Sequence, residues 1–362
     1  MTDRPPLDLG PLAARVPEVL RAASAYHVPL PPRLIAKLDA NELPYGLPAE
    51  LRAKLAAVLA ELPLERYPDP AARRLRAAVA RRVGAGVGED QLVFGNGSDE
   101  LIALLCAAFA APPARVLYPV PSFVYYRIAA VVRGIEAIEL PLGPRFELPE
   151  EDLLRAVATH RPSVVFLALP NNPTGTLWRM DFALELAARH RDVVVVSDEA
   201  YLAYSGATNL PHLAAHPNLV VMRTLSKLGM AGLRVGFTIS SPAIAALLEK
   251  VRPPYNVSSL DQAAAALLVD DAAAWCDARA RDVIAERGRL AAGLAAAGLE
   301  VFPSEANLVL VRCPDAPGLW RRLAAAGISV RSFGPGPGPL ADCLRITVGT
   351  PAETDALLAA LP

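Results

Sequence analysis

The sequence predicts an α/β protein: a large domain built on a mostly parallel, doubly wound sheet, followed by a smaller α+β domain. Three observations carry this. From about residue 37, short β-branched runs alternate with Ala- and Leu-rich helical stretches, the signature of strand–helix–strand units. Several of those runs, such as Val193-Val194-Val195-Val196, are apolar at every position, as a sheet covered on both faces requires. Beyond about residue 260 the pattern changes to long amphipathic helices followed by a few strands. At 362 residues with 53% hydrophobic side chains, the chain exceeds one ordinary domain and has ample apolar material for a core.

Taken in order, residues 1–36 are Pro-rich with one helical pattern, Leu12 to Ala23, and read as an N-terminal arm that packs on the small domain. Residues 37–248 form the large domain, with strands expected at Gln91–Phe94, Arg115–Leu117, Ile135–Leu140, Ser163–Leu169, Val193–Ser197, Leu219–Arg223 and Val235–Ile239. Residues 249–362 form the small domain, with helices over 260–299 and strands at Asn307–Val311, Ser329–Arg331 and Cys343–Val348. No period of 20–50 residues repeats, and the Gly-Pro run from Gly334 to Pro339 reads as a surface loop.

Composition excludes several function classes. The formal net charge of −1, from 36 basic and 37 acidic residues, gives no electrostatic reason to expect nucleic acid or an anionic membrane as partner. No apolar run reaches the roughly 18 residues of a membrane helix, and no apolar segment follows Met1, so a soluble cytoplasmic protein is expected. Cys106, Cys276, Cys313 and Cys343 are scattered in apolar surroundings and read as buried thiols. His212 and His216 have helical metal-ligand spacing, but Pro211 and Pro217 break the helix, so no metal is expected.

Ligands of doubly wound sheets bind beyond the carboxyl ends of the strands, and here those ends carry unusual polar groups. Gly95-Asn96-Gly97-Ser98-Asp99-Glu100 precedes an apolar helix, which suits an anion at the helix N-terminus, although an ordinary N-cap at Ser98 or Asp99 would read the same way. Pro170-Asn171-Asn172-Pro173-Thr174-Gly175 fixes a turn in which Asn172, before a proline, is extended. Asp198-Glu199-Ala200-Tyr201 puts an acid at the end of a buried strand, where it needs a partner, an arginine being the plain choice. Thr224-Leu225-Ser226-Lys227 is followed seven residues later by Arg234. With four lysines against 32 arginines, a lysine at the mouth of a sheet suggests that an amine is wanted there. One chemistry uses all of these: a pyridine aldehyde with a phosphate handle needs an amine, an anion cradle, an acid for its ring nitrogen and donors to its ring oxygen. That points to pyridoxal 5'-phosphate.

These motifs, with Ser24-Ala25-Tyr26-His27, Asp39-Ala40-Asn41-Glu42, Arg66-Tyr67-Pro68-Asp69, Arg252-Pro253-Pro254-Tyr255-Asn256 and Leu344-Arg345-Ile346-Thr347, make the sequence resemble the fold-type I, class I/II aminotransferases over nearly its whole length. Within them it is most similar to the histidinol-phosphate aminotransferase branch. The resemblance implies an aspartate-aminotransferase-like fold and a homodimer. It implies Lys227 as the covalent anchor and proton shuttle, Asp198 on the pyridinium nitrogen, and Asn172 and Tyr201 on the ring oxygen. Gly97, Ser98, Asp99, Thr224, Ser226 and Arg234 would hold the phosphate, Phe123 would stack on the ring, and Tyr67 would reach the partner subunit's site. Arg331 and Arg345 would grip the substrate phosphate and a carboxylate of glutamate or 2-oxoglutarate, with Tyr26, Asn41 and Glu42 at the pocket wall. Leu43 departs from the branch, which often has a polar residue there. An aromatic aminotransferase, a threonine-phosphate decarboxylase and a non-catalytic relative are the competing expectations.

Overall fold

A computed structural model describes residues 10–16, 33–110, 112–334 and 338–362. Twelve strands form two sheets among them. The strands are β1 (Ala36–Leu38), β2 (Leu92–Asn96), β3 (Arg115–Val120), β4 (Glu136–Pro141), β5 (Val164–Ala168), β6 (Val194–Asp198), β7 (Leu219–Thr224), β8 (Val235–Ile239), β9 (Glu300–Val301), β10 (Leu308–Arg312), β11 (Ile328–Ser332) and β12 (Cys343–Thr347). The α-helices among the described residues are α1 (Ala49–Ala60), α2 (Arg73–Val83), α3 (Gly97–Phe109), α4 (Tyr125–Val131), α5 (Glu150–His160), α6 (Asp181–Arg189), α7 (Leu202–Ser205), α8 (Pro242–Val251), α9 (Ser259–Asp271), α10 (Ala273–Ala296), α11 (Ala316–Ala325) and α12 (Pro351–Ala359).

The large sheet has the order β2-β8-β7-β6-β5-β3-β4. Strands β4, β3, β5, β6 and β7 are mutually parallel, while β8 runs antiparallel to both its neighbours. Alternate residues of β6 enter different cores: Val195 packs in a cluster with α6, α9 and β7, whereas Val194 and Val196 pack on the opposite face with α3 and α4. An unbroken valine run therefore fits because successive side chains find apolar cover on both sides.

The small sheet has the order β1-β11-β12-β10-β9, with β1 parallel to β11 and the other pairs antiparallel. Packing around the two sheets crosses both expected boundaries. Ala36 and Leu38 are buried in the small-domain core, so the segment expected to open the large domain supplies an edge strand of the small one. In the other direction, α9 carries Ala265, Ala266, Leu268 and Val269 into the large-domain core beside Val79 and Leu225, although it lies beyond residue 248. Tyr201 and Tyr204 in turn enter the small-domain core. The helical pattern Leu12 to Ala23 is described only in part, as a 3-10 turn over Gly10–Arg15.

The ends of β6 and β7 are tied together by a buried ion pair. Glu199 accepts from Arg223 Nε at 3.1 Å and Nη2 at 3.0 Å, from Thr208 Oγ1 at 2.7 Å and from the Asn209 N–H at 2.7 Å. Its side chain is fully buried, and that of Arg223 is 11% exposed. The arginine partner expected for the acid motif thus falls to Glu199. Removing one member leaves the other desolvated and uncompensated. Glu199→Ala is expected to lower unfolding free energy by about 3–5 kcal/mol, measured by equilibrium denaturation in urea.

Candidate active site

Three parallel strands deliver their last residues to one place. β5 runs through Leu169 into the turn at 170–175, β6 ends on Asp198, and β7 ends on Thr224 with Ser226 and Lys227 in the turn beyond. Because β2 is antiparallel to β8, and β8 to β7, the end of β2 that leads into α3 lies at the same edge. Between these ends is a cavity of about 130 Å3. Ten of the residues expected from sequence line it: Ser98, Asp99, Phe123, Asn172, Asp198, Tyr201, Thr224, Ser226, Lys227 and Arg234.

At one end the walls form an anion cradle. Helix α3 begins at Gly97, and no side chain caps it, so neither Ser98 nor Asp99 is an N-cap. Both sit in its first turn, where N–H groups and the positive dipole end face an incoming anion. Thr224 Oγ1 donates to Ser226 Oγ at 3.0 Å, and Arg234 reaches Ser226 Oγ at 3.4 Å and Asp99 Oδ2 at 3.1 Å. Two glycines keep this cradle open. A Cβ on Gly97, whose φ is +73°, would lie 2.6 Å from Arg234 Nη2, and one on Gly236 would lie 2.7 Å from the Gly97 carbonyl carbon. The turn is tied down from outside by Glu100 Oε2, which accepts from the Asn96 N–H and from Asn256 Nδ2, each at 2.7 Å.

The cavity also holds an acid and an amine, both desolvated. Asp198 is buried, and burial pushes its pKa up to about 6 against two hydrogen bonds that favour the charged form, from Tyr126 Oη at 2.6 Å and from the Ala200 N–H at 3.2 Å. Lys227 is brought down to about 8 by burial first and then by Arg345 and Arg234. Tyr201 is pushed up to about 12 by burial, so its hydroxyl stays protonated; it accepts from Asn41 Nδ2 at 2.8 Å. Behind Lys227, Tyr204 donates to its carbonyl oxygen. Leu43 packs beside Gly229 two residues further on, where an added Cβ would lie 3.0 Å from Leu43 Cδ2.

A buried acid, a readily deprotonated lysine and a helix start beside an arginine share one small cavity. The sequence model of the family aminotransferase class I and II matches residues 34–361. The chain belongs to this family. This aminotransferase is 46% identical to histidinol-phosphate aminotransferase 1 of Ralstonia nicotianae over 340 residues, covering 92% of this chain and 90% of that one. It is 46% identical to histidinol-phosphate aminotransferase 2 of Bordetella parapertussis over 356 residues, covering 97% and 96%. Among solved structures, it is similar to the histidinol-phosphate aminotransferase of Sinorhizobium meliloti in complex with pyridoxal-5'-phosphate, with a TM-score of 0.81 and 28% identity over 91% of this chain and 90% of that one. The fold is therefore aspartate-aminotransferase-like; an aspartate aminotransferase of Thermus thermophilus superposes with a TM-score of 0.79 at 22% identity.

The other expected residues of this aminotransferase do not line the cavity itself. Gly97 is buried beneath Arg234. Arg345 donates from Nη1 to Asn172 Oδ1 at 2.8 Å and from Nη2 to the Asp39 carbonyl. Arg331 is directly across from Arg345 in the β11–β12 register, and opposed residues of an antiparallel pair share a face. Asn41 is buried, and Glu42 pairs with Lys37 at 2.6 Å. Tyr67 is not part of this cavity: it is 81% exposed and stacks on Tyr255 with ring centroids 4.7 Å apart. Tyr26 is outside the described residues. Among the described residues no group of three His, Cys, Asp or Glu is placed to hold a metal, and no helix is long and apolar enough to cross a membrane.

Sequence reasoning missed two side chains that shape the site. Asn171 is buried and cross-links two loops, accepting from Ser122 Oγ at 2.8 Å and donating to Thr174 Oγ1 at 2.9 Å and the Pro121 carbonyl at 3.0 Å. Tyr126 reaches Asp198 from behind; its only sequence signal is a position three residues after Phe123.

The lowered basicity of Lys227 has a direct readout. Its folded-state pKa of about 8 lies below the ordinary 10.5, so the reactive neutral amine becomes abundant from about pH 8 upward. Competitive acetylation with peptide mapping should show the Lys227 rate levelling off just above pH 8. Lys37 and Lys54, whose acidic partners raise their pKa, should keep accelerating past pH 10.5.

Proposed function

We propose that the chain is a pyridoxal phosphate-dependent transaminase that converts histidinol phosphate and 2-oxoglutarate to imidazole-acetol phosphate and glutamate in histidine biosynthesis. The observation that carries this reading is the combination, in one cavity, of a lysine with an easily freed amine, a buried acid and an anion cradle. It is supported by relatives of that name at 42–46% identity over nine-tenths or more of the chain.

Bound pyridoxal phosphate supplies a cationic ring that takes up the electron pair left on the substrate α-carbon. Asp198 keeps the ring nitrogen protonated, a role that suits a carboxylate still ionised at neutral pH. Gly97, Ser98, Asp99, Thr224, Ser226 and Arg234 would hold the phosphate. Asn172 and Tyr201 would serve the ring oxygen, and Phe123 would give the ring an apolar wall. Lys227 anchors the cofactor and then moves the proton at the substrate α-carbon; a base is most effective with its pKa near the working pH. Arg345, steadied by Asn172 and the Asp39 carbonyl, and Arg331 opposite it in the sheet grip the phosphate of histidinol phosphate and, in the second half-reaction, a carboxylate of 2-oxoglutarate or glutamate. Asn41, Glu42 and Tyr26 border that pocket.

The reading includes a cytoplasmic homodimer in which Tyr67 enters the partner subunit's site, since a tyrosine 81% exposed and outside its own cavity has its hydroxyl available to another chain.

Steady-state turnover with 2-oxoglutarate should favour histidinol phosphate over phenylalanine and threonine phosphate, and Lys227→Ala should abolish it. Release of carbon dioxide without a keto product would indicate a decarboxylase instead. Gel filtration with activity assay should find the activity in a dimer; a fully active monomer would remove the role of Tyr67.

A further inference from the structure

The Asp198 carboxyl is buried, and among the described residues no cationic side chain pairs with it. Two donors reach it: the Ala200 N–H on Oδ1 at 3.2 Å and the Tyr126 hydroxyl on Oδ2 at 2.6 Å. Tyr126 is fully buried and is not part of the cavity wall, so it approaches the acid from the side away from the proposed cofactor. A buried phenol must spend its hydroxyl on some acceptor, and Asp198 is its partner. Burial, then Asp198 itself, hold the phenol far above its usual range, so it remains a donor at every working pH.

The ring that carries this hydroxyl has little freedom to turn. It stacks on Phe166 of β5 with centroids 4.7 Å apart and planes at 11°, and it meets Phe123 edge-on at 5.7 Å and 90°. Phe123 also lines the cavity. The turn that leads into α4, closed by the Tyr126 N–H on the Phe123 carbonyl at 3.2 Å, thus supplies both an aromatic wall of the cavity and a clamp on its acid.

We propose that Tyr126 is a positioning residue of the proposed cofactor site, fixing one oxygen of Asp198 so that the carboxylate stays ionised and aimed at the ring nitrogen. A phenol does this where an arginine could not: it orients and stabilises the negative charge without neutralising it, leaving that charge for the pyridinium. The inference rests on the transaminase reading above.

The test compares the full-length apo-protein binding two ligands, pyridoxal phosphate and its 1-deaza analogue, in which a carbon replaces the ring nitrogen. Wild type should bind pyridoxal phosphate more tightly than the analogue. Tyr126→Phe should weaken pyridoxal phosphate binding about tenfold and leave analogue binding unchanged. The ring-nitrogen protonation midpoint, followed by absorbance, should fall in the same variant. In an Asp198→Asn background, adding Tyr126→Phe should cause no further loss. Equal weakening of both ligands by Tyr126→Phe, or further loss in the Asn background, would show a purely structural role and overturn the proposal. No change in either ligand would overturn it as well. Wild-type protein that binds both ligands equally would likewise overturn the proposal, because Asp198 would then contribute nothing at the ring nitrogen; wild-type protein that binds neither would instead overturn the cofactor reading beneath it.

Discussion

A carboxyl group carried to the end of a fully buried strand must take up a proton, find a cation or collect enough donors to keep its charge. The acid motif after β6 solves this twice, in opposite ways. Glu199 is matched by Arg223 and closed off, which makes it a cross-link between strand ends. Asp198, one residue earlier, points to the other face and receives a phenol and a backbone N–H but no cation. The alternation of a β-strand is what separates two adjacent acids into a structural one and a chemically available one. The same desolvation that makes Asp198 more easily protonated makes Lys227 less so, and the two shifts bring both groups towards neutral pH from opposite directions.

The other walls serve that pair. Gly97 and Gly236 let backbone approach where any side chain would collide, Asn172 is held by Arg345 from the small domain, and Tyr201 is held by Asn41. Arg345 lies on β12 and Asn41 bonds Thr347 of the same strand, so the small sheet helps to fix two cavity-lining side chains of the large one.

Most of the cavity was legible because strand ends in a parallel sheet are recorded in the sequence as abrupt changes from apolar runs to Gly, Asn, Asp and Lys. The residues that were not legible act through tertiary contact. Nothing in the spacing tells that Arg223 belongs to Glu199 and Tyr126 to Asp198, because 24 and 72 positions separate these partners. Segments that pack across the expected boundaries are hard to read for a similar reason. A three-residue strand amid prolines leaves no periodic signal, and α9 resembles its small-domain neighbour α10 in composition while packing on the large-domain helices.

The pairing of Ala36 with Ile328 has a consequence for how such a chain is made. The edge strand of the small sheet leaves the ribosome long before β11, the only strand it pairs with, and must wait for it before it has a neighbour. The small domain therefore cannot be isolated by cutting the gene at a single point. Either fragment would carry an unfinished sheet, with backbone groups open to pairing with another chain.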